Sequence, residues 1–203
     1  MLDYTIEQQL HEEGYAVVCG IDEAGRGPLC GPVFAAACIL PDGLVLEGLN
    51  DSKKLTPKKR DKLFDLICEN AIAYCIASAS VEEIDELNIL EADLLAMRRA
   101  IDGLSVKADF AMIDGNIARG FQIPARAVIG GDAKSPSIAA ASILAKVARD
   151  RDCIALDEAY PQYGIAKHKG YGTKQHMDAL RTYGPSPIHR KQFIRFLDKD
   201  ANK

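Results

Sequence analysis

A chain of 203 residues, with 48% apolar and 27% charged side chains, is long enough to bury a core of its own and is composed like a water-soluble globular protein. No apolar run is long enough to cross a bilayer, and residues 1–14 lack the basic and apolar regions of a secretion signal, so a cytoplasmic protein is expected. The net charge of −4 argues against a polyanionic partner until its distribution is read.

That distribution is uneven. From Tyr163 to Arg195 the cations are Lys167, Lys169, Lys174, Arg181, Arg190, Lys191 and Arg195, against the single acid Asp178, and His168, His176 and His189 fall in the same span. A second cluster comprises Lys53, Lys54, Lys58, Lys59, Arg60 and Lys62. Two such runs suit phosphate contacts. The six cysteines (Cys19, Cys30, Cys38, Cys68, Cys75 and Cys153) show neither CxxC pairs nor zinc-like spacing, and several sit in apolar runs, as reduced, buried thiols do.

In chain order, Tyr15 to Ile21 is apolar and β-branched, and predicts a buried strand that ends at Asp22 and Glu23 and then the turn Gly25-Arg26-Gly27. Val33 to Leu40 predicts a second strand, hairpinned to the first. Thr56 and Pro57 open a helix with Leu63, Phe64, Leu66 and Ile67 on one face. Ala71 to Ala79 predicts a third strand. Ser80 to Glu83 is a capping box for a short helix, and Asn88 precedes an amphipathic helix from Ile89 to Ile101. The acids Glu91 and Asp93 on that helix read as part of its solvated face. Phe110 to Ile113 predicts a fourth strand, ending on Asp114. Ala125 to Ile129 predicts a fifth, leading through two glycines to Asp132. Ser135 opens a long helix, from Ile138 to about Asp157, whose small apolar first half suits close packing on a sheet. Ser135, Ser137 and Ser142 read as caps or as neighbours of a ligand. Two short helices, Lys174 to Tyr183 and Ile188 to Leu197, are expected at the end, making residues 163–203 a basic helical arm of one α/β domain spanning 1–203.

Three predicted strands thus lead to acids. Buried carboxylates need compensation, and four of them outside the strand ends of an α/β sheet can hold two divalent cations. All-oxygen ligation suits Mg²⁺ or Mn²⁺. One such ion turns water into a nucleophile while the other steadies the leaving oxygen of a phosphoryl displacement. The glycines beside Arg26 allow backbone N–H groups and a guanidinium to approach an oxygen-rich ligand. Asp22 and Glu23 point to opposite faces of a regular strand, and the pairing of Glu23 with Arg26 is an equal alternative to a metal role for it.

The sequence resembles the bacterial ribonuclease HII family of type 2 ribonucleases H. The matching stretches are 21–28 (Ile21 to Pro28), 50–55, 84–90, 113–116, Gly131-Asp132, 137–149, His168-Lys169-Gly170-Tyr171 and His189-Arg190, in the family's order and over nearly the whole chain. The resemblance implies a ribonuclease H-like fold: a mixed five-stranded sheet flanked by helices, with a helical C-terminal part. It implies endonucleolytic cleavage of RNA in RNA–DNA hybrids, and 5′ to single ribonucleotides embedded in duplex DNA, leaving 3′-hydroxyl and 5′-phosphate ends, as in ribonucleotide removal from DNA. The metal-binding and catalytic acids map onto Asp22, Glu23, Asp114 and Asp132, and would take Mn²⁺ or Mg²⁺, two ions in the substrate complex. Gly25, Arg26 and Gly27 would read the ribose 2′-hydroxyl, the group that tells RNA from DNA. Tyr171 would stack on the following deoxyribose. Lys53 and Lys169, then Lys54, Lys167 and Arg190, are candidates for phosphate contacts. The resemblance favours a monomer.

Residues 192–196 (Gln192 to Phe196) loosely resemble a peptide that docks on a bacterial sliding clamp, the alternative being a helix that packs its phenylalanines. Strand-end acids alone also allow an inactive hybrid-binding module or a DNA nuclease of the same fold. The Gly-Arg-Gly turn, Tyr171 and the presence of all four acids favour the ribonuclease.

Overall fold

The structure is a computed structural model, and it describes residues 2–50, 52 and 55–197. Five strands form one mixed sheet among these residues: β1 (Val18–Ala24), β2 (Val33–Ile39), β3 (Ala73–Ala79), β4 (Phe110–Asp114) and β5 (Ala125–Val128). Their order is β3-β2-β1-β4-β5. β1 pairs antiparallel with β2, and β2 with β3, whereas β4 runs parallel to both β1 and β5. The expected hairpin and mixed sheet are therefore present. β1 differs from its expected span, because it starts later and continues through Asp22 and Glu23 to Ala24.

Helices cover both faces, so the central strands read as continuous apolar runs rather than alternating ones. On one face Cys19, Ile21, Ala35 and Ala37 meet Leu94, Met97 and Ala100 of α4 (Ile89–Asp102), with Ile84 of α3 (Val81–Leu87) beside them. On the other face Ala24, Ala36 and Cys38 meet Ala140, Ile143 and Leu144 of α5 (Pro136–Ala159), together with Leu63 and Ile67 of α2 (Pro57–Asn70). The caps are those the sequence announces. Thr56 Oγ1 accepts from Lys59 N, the Ser80–Glu83 box closes in both directions, and Asn88 Oδ1 accepts from Leu90 N and Glu91 N.

α1 (Thr5–Glu12) has no sequence signal of comparable strength, being polar on most of its surface. Its buried Glu7 accepts from Ser135 Oγ at 2.6 Å and from Ser137 N at 3.3 Å. An acid from another helix thus supports the N-terminus of α5, where a negative charge is favoured. Ser135 itself caps α5 by accepting from Ile138 N.

The C-terminal part is helical in α6 (Ile165–His168) and α7 (Lys174–Tyr183). The second short helix, expected from Ile188 to Leu197, does not form as predicted. Residues 188–195 are turns, with an isolated bridge between His189 and Cys30. The backbone there is held by contacts to residues 28–31 in place of a helical ladder: Gly31 N donates to Ile188 O, and Arg190 N to Leu29 O.

α5 crosses β1 closely because position 20 is glycine. A Cβ on Gly20 would lie 2.3 Å from both Ser137 C and Ile138 N, backbone atoms that have no rotamer to retreat into. Gly20→Ala is therefore expected to destabilise the protein by about 3 kcal/mol or more, at the upper end of overpacking effects. Denaturant unfolding checks this, and a loss near zero would show that α5 can move away at little cost.

Candidate active site

The parallel register of β1 and β4 ends at Ile21 opposite Ile113. One residue further on, Asp22 and Asp114 lie side by side on the face that carries α5. Asp22 is only 6% exposed, and burial pushes its carboxyl well above the usual carboxylate range. The neighbouring charges of Glu23 and Asp114 push the same way, and hydrogen bonds from Ser142 and from Glu23 N oppose them. Glu23 N donates to Asp22 Oδ1 at 2.7 Å. Asp114 Oδ1 accepts from Gly131 N at 2.7 Å, which ties β4 to the turn bearing the half-buried Asp132. Glu23 points to the other face, as strand alternation requires, and reaches this end of the sheet from there.

The four acids share one end of the sheet without forming a tight cage. Among the described residues, no three of them bring carboxylate oxygens within 4.8 Å of one another.

Beside Asp22 and Glu23 opens a cleft of about 250 Å³. Gly25, Arg26, Gly27, Tyr171 and Lys169 line it, so the structure brings the expected turn, tyrosine and lysine to one place. The Tyr171 ring is half exposed and packs against Gly27, where a Cβ would meet it at 3.3 Å. Ser142 and Ser52 share a hydrogen bond of 2.9 Å on the same wall. Ser142 is thus a cleft residue, whereas Ser135 is the cap. Lys53 and Lys54 lie outside the described residues, and Lys167 is exposed on α6.

Two charged residues behave otherwise than the sequence suggests. Arg190, a phosphate candidate, is fully buried. Its Nε donates to Gly31 O, its Nη1 to Arg26 O and Pro28 O, and its Nη2 to Gly25 O, at 2.6–2.9 Å. The guanidinium thus grips the turn from inside with four of its five N–H donors, and its complete burial keeps it from a phosphate. Burial lowers its pKa to about 10. Arg149 of α5, also buried, donates to Cys30 O at 2.9 Å and lies where a Cβ on Gly25 would be, with Nε at 2.9 Å. Gly25 has a φ of +101°, so it is glycine for two independent reasons. Asp93, read as a solvated acid, is 2% exposed and faces Arg26 and Glu23. Burial, followed by the charge of Glu23, raises its pKa to about 8 against the pull of Arg26. Glu91 does lie at the surface, paired with Arg119. Lys146 lines the cleft, 2.5 Å from Asp150. It stands outside both basic runs, within the stretch 137–149 that resembles the family.

The three histidines of the basic run are buried, and burial lowers the pKa of His176 and His189. His176 Nδ1 donates to Tyr171 O at 3.1 Å, leaving Nε2 to accept from His189 Nε2 at 3.1 Å. His189 Nδ1 in turn accepts from Ser186 N. His168 Nδ1 accepts from Gly170 N, and its ring stacks on His176. Together with Cys30 Sγ, His176 and His189 form a compact group, within 4.8 Å, whose ring nitrogens are already matched as donors and acceptors. The network fixes the backbone on both sides of Tyr171.

Comparison with known proteins gives the family and the fold. The family model for ribonuclease HII matches residues 19–196. The chain belongs to the ribonuclease HII family. A ribonuclease HII of Desulfitobacterium hafniense is 58% identical over 187 residues, 92% of this chain and 72% of the relative. Among solved structures, the ribonuclease H2 of Pyrococcus horikoshii OT3 superposes with a TM-score of 0.76 at 28% identity, over 93% of this chain and 100% of that one. The RNase HII of Archaeoglobus fulgidus, in its complex with PCNA, gives 0.70 at 26% identity over 87% and 93%. With membership of the ribonuclease HII family comes metal-dependent endonucleolytic hydrolysis of RNA in RNA–DNA hybrids.

Two expectations follow from the buried cations and histidines. Arg190→Lys, which keeps the charge but offers one point in place of a fork, should lower kcat/KM at least about tenfold while the sheet remains folded. Unchanged kinetics would show that the turn holds its shape without Arg190. Burial, then the charge of His176, lowers the His189 pKa from 6.5 to about 4. The fold thus favours neutral His189, and this contribution to stability is complete above pH 6.5 and lost as the pH falls toward 4. Asp22 and Asp93, raised in the fold, work in the opposite direction, so the contribution is read as a difference. The gap in Tm between wild type and His189→Asn should narrow from pH 7.5 to pH 4.5, and a constant gap would contradict the neutral pair.

Proposed function

We propose that the chain cleaves RNA–DNA hybrids, and also the 5′ side of a single ribonucleotide embedded in duplex DNA, leaving 3′-hydroxyl and 5′-phosphate ends. The observation that carries this reading is the seating of Asp22 and Asp114 side by side next to a cleft lined by Gly25, Arg26, Gly27 and Tyr171. Asp22, Glu23, Asp114 and Asp132 are the residues that would hold divalent cations. Their oxygen-only donor set fits Mg²⁺ or Mn²⁺. The raised pKa of Asp22, caused by burial and two acidic neighbours, marks a place short of positive charge. When bound, two such ions supply an activated water and stabilisation of the leaving oxygen.

The remaining roles belong to the protein's own groups. The turn Gly25-Arg26-Gly27, its carbonyls drawn inward by Arg190, offers its other side to the ribose 2′-hydroxyl. Tyr171, half exposed and braced by Gly27, stacks on the next deoxyribose and favours an RNA–DNA junction. Lys169 and Lys146, on the cleft wall, neutralise phosphates without reading sequence. The six cysteines are free thiols, as suits a reducing cytoplasm. The protein acts as a monomer. A clamp-docking role for residues 192–196 has the Archaeoglobus complex in its favour and the local packing against it. Here Ile194 is buried and Gln192 Nε2 donates to Asp85 O, so docking would require this segment to peel away.

Incision of a duplex carrying one ribonucleotide, beside an RNA–DNA hybrid and an all-DNA duplex, in Mg²⁺, Mn²⁺ and EDTA, tests the proposal. Cutting should occur 5′ to the ribonucleotide, stop in EDTA and spare the all-DNA duplex. Asp22→Asn and Asp114→Asn should each lower kcat by about a hundredfold or more while retaining substrate binding. Tyr171→Ala should impair single-ribonucleotide incision more than hybrid cleavage. Cleavage of all-DNA duplex would point to a DNA nuclease of this fold, and binding without cleavage in any metal to an inactive module.

A further inference from the structure

Asp93 is a buried carboxylate that nothing in the packing of α4 calls for. The helix turns Leu94, Met97 and Ala100 into the core, where their burial holds it to the sheet. Asp93 Oδ1 is buried without a hydrogen-bond partner, and Oδ2 lies 3.4 Å from Arg26 Nε. At its other end, the Arg26 guanidinium places Nη1 3.7 Å from Glu23 Oε1. Arg26 therefore spans two carboxylates, one on the helix and one on the strand. Keeping Asp93 there is unfavourable for the fold, because a carboxylate is desolvated beside a second acid. A group that is unfavourable for folding, and whose cation partner belongs to the substrate turn, is explained by what it does for that turn.

We propose that Asp93 is a positioning residue for Arg26, holding the guanidinium in its seat across Glu23 so that the Gly25-Arg26-Gly27 turn is ordered before the ribonucleotide arrives. This rests on the reading that the turn recognises the ribonucleotide. Arg26 is about half exposed (its side chain 46%), and an arginine side chain freed from its anchor has many rotamers to lose when substrate binds. The effect of losing Asp93 therefore falls on substrate binding: KM rises about tenfold, with kcat nearly unchanged. Stability should move the other way. Asp93→Asn keeps the shape and removes a carboxyl whose charged form burial and Glu23 disfavour, so Tm should hold or rise.

The test is a double-mutant cycle of wild type, Asp93→Asn, Arg26→Ala and the pair, each assayed for kcat and KM on a single-ribonucleotide duplex and for Tm. The expected result is a raised KM in Asp93→Asn at equal or higher Tm, a raised KM in Arg26→Ala, and no further loss in the pair. If Arg26→Ala alone leaves KM unchanged, both the recognition role of the turn and this inference fall. If Arg26→Ala raises KM while Asp93→Asn does not, only this inference falls. It also falls if Asp93→Asn lowers Tm and kcat together, or still raises KM in the Arg26→Ala background.

Discussion

The site depends on one buried cation. Arg190 gives up water completely, and the five hydrogen bonds it and its own backbone N–H make to carbonyls of residues 25–31 replace that water. A carbonyl of a glycine-rich turn would otherwise face solvent or an apolar wall, and the turn would sample several shapes. With Arg190 beneath it and Arg149 filling the space beside Gly25, it has one. The same contact draws the 188–195 segment into extended turns against the loop, which is why a helix does not form there. The histidine network continues the arrangement to Tyr171, so the tyrosine and the turn are held by one buried polar layer behind the cleft wall.

Alternation along β1 then divides the acids. Asp22 goes to the α5 face with Asp114, and Glu23 to the α4 face with Asp93 and Arg26. The sheet end is thus a divide with a carboxylate pair on each side, and on the α4 side Arg26 reaches both members of the pair. The Asp22 side has a serine hydroxyl and backbone N–H groups, which soften the charge without neutralising it. The two sides therefore differ in electrostatics: an arginine faces the acids on the α4 side, and only neutral donors meet Asp22 on the α5 side.

Much of this was legible in the sequence, and the remainder was hidden for a consistent reason. The strands, the caps at Thr56, Ser80 and Asn88, and the convergence of Asp22, Asp114 and Asp132 rest on local patterns: apolar runs, capping chemistry, and acids where strands stop. The glycine-flanked turn Gly25-Arg26-Gly27 is read the same way, whereas Tyr171 is reached only through the family resemblance. Asp93 and Arg190 were misread because charge on an amphipathic helix or in a basic run looks solvated unless its partner is known. Their partners lie 67 and more than 150 residues away. Glu7 escaped notice likewise, as an acid in a polar helix whose purpose is to cap a helix more than a hundred residues downstream.

The span between Gly25 and Arg190 has a consequence in time. The hydrogen bond between them closes a loop of 165 residues, and non-local contacts of that kind form only after the intervening chain has been arranged. During synthesis Asp22 and the glycine turn leave the ribosome well before Arg190, the group that shapes the turn. Until Arg190 emerges, the turn lacks the buried cation that draws its carbonyls inward. The turn beside Asp22 therefore takes its single shape late in folding, although its own residues are among the earlier ones to emerge.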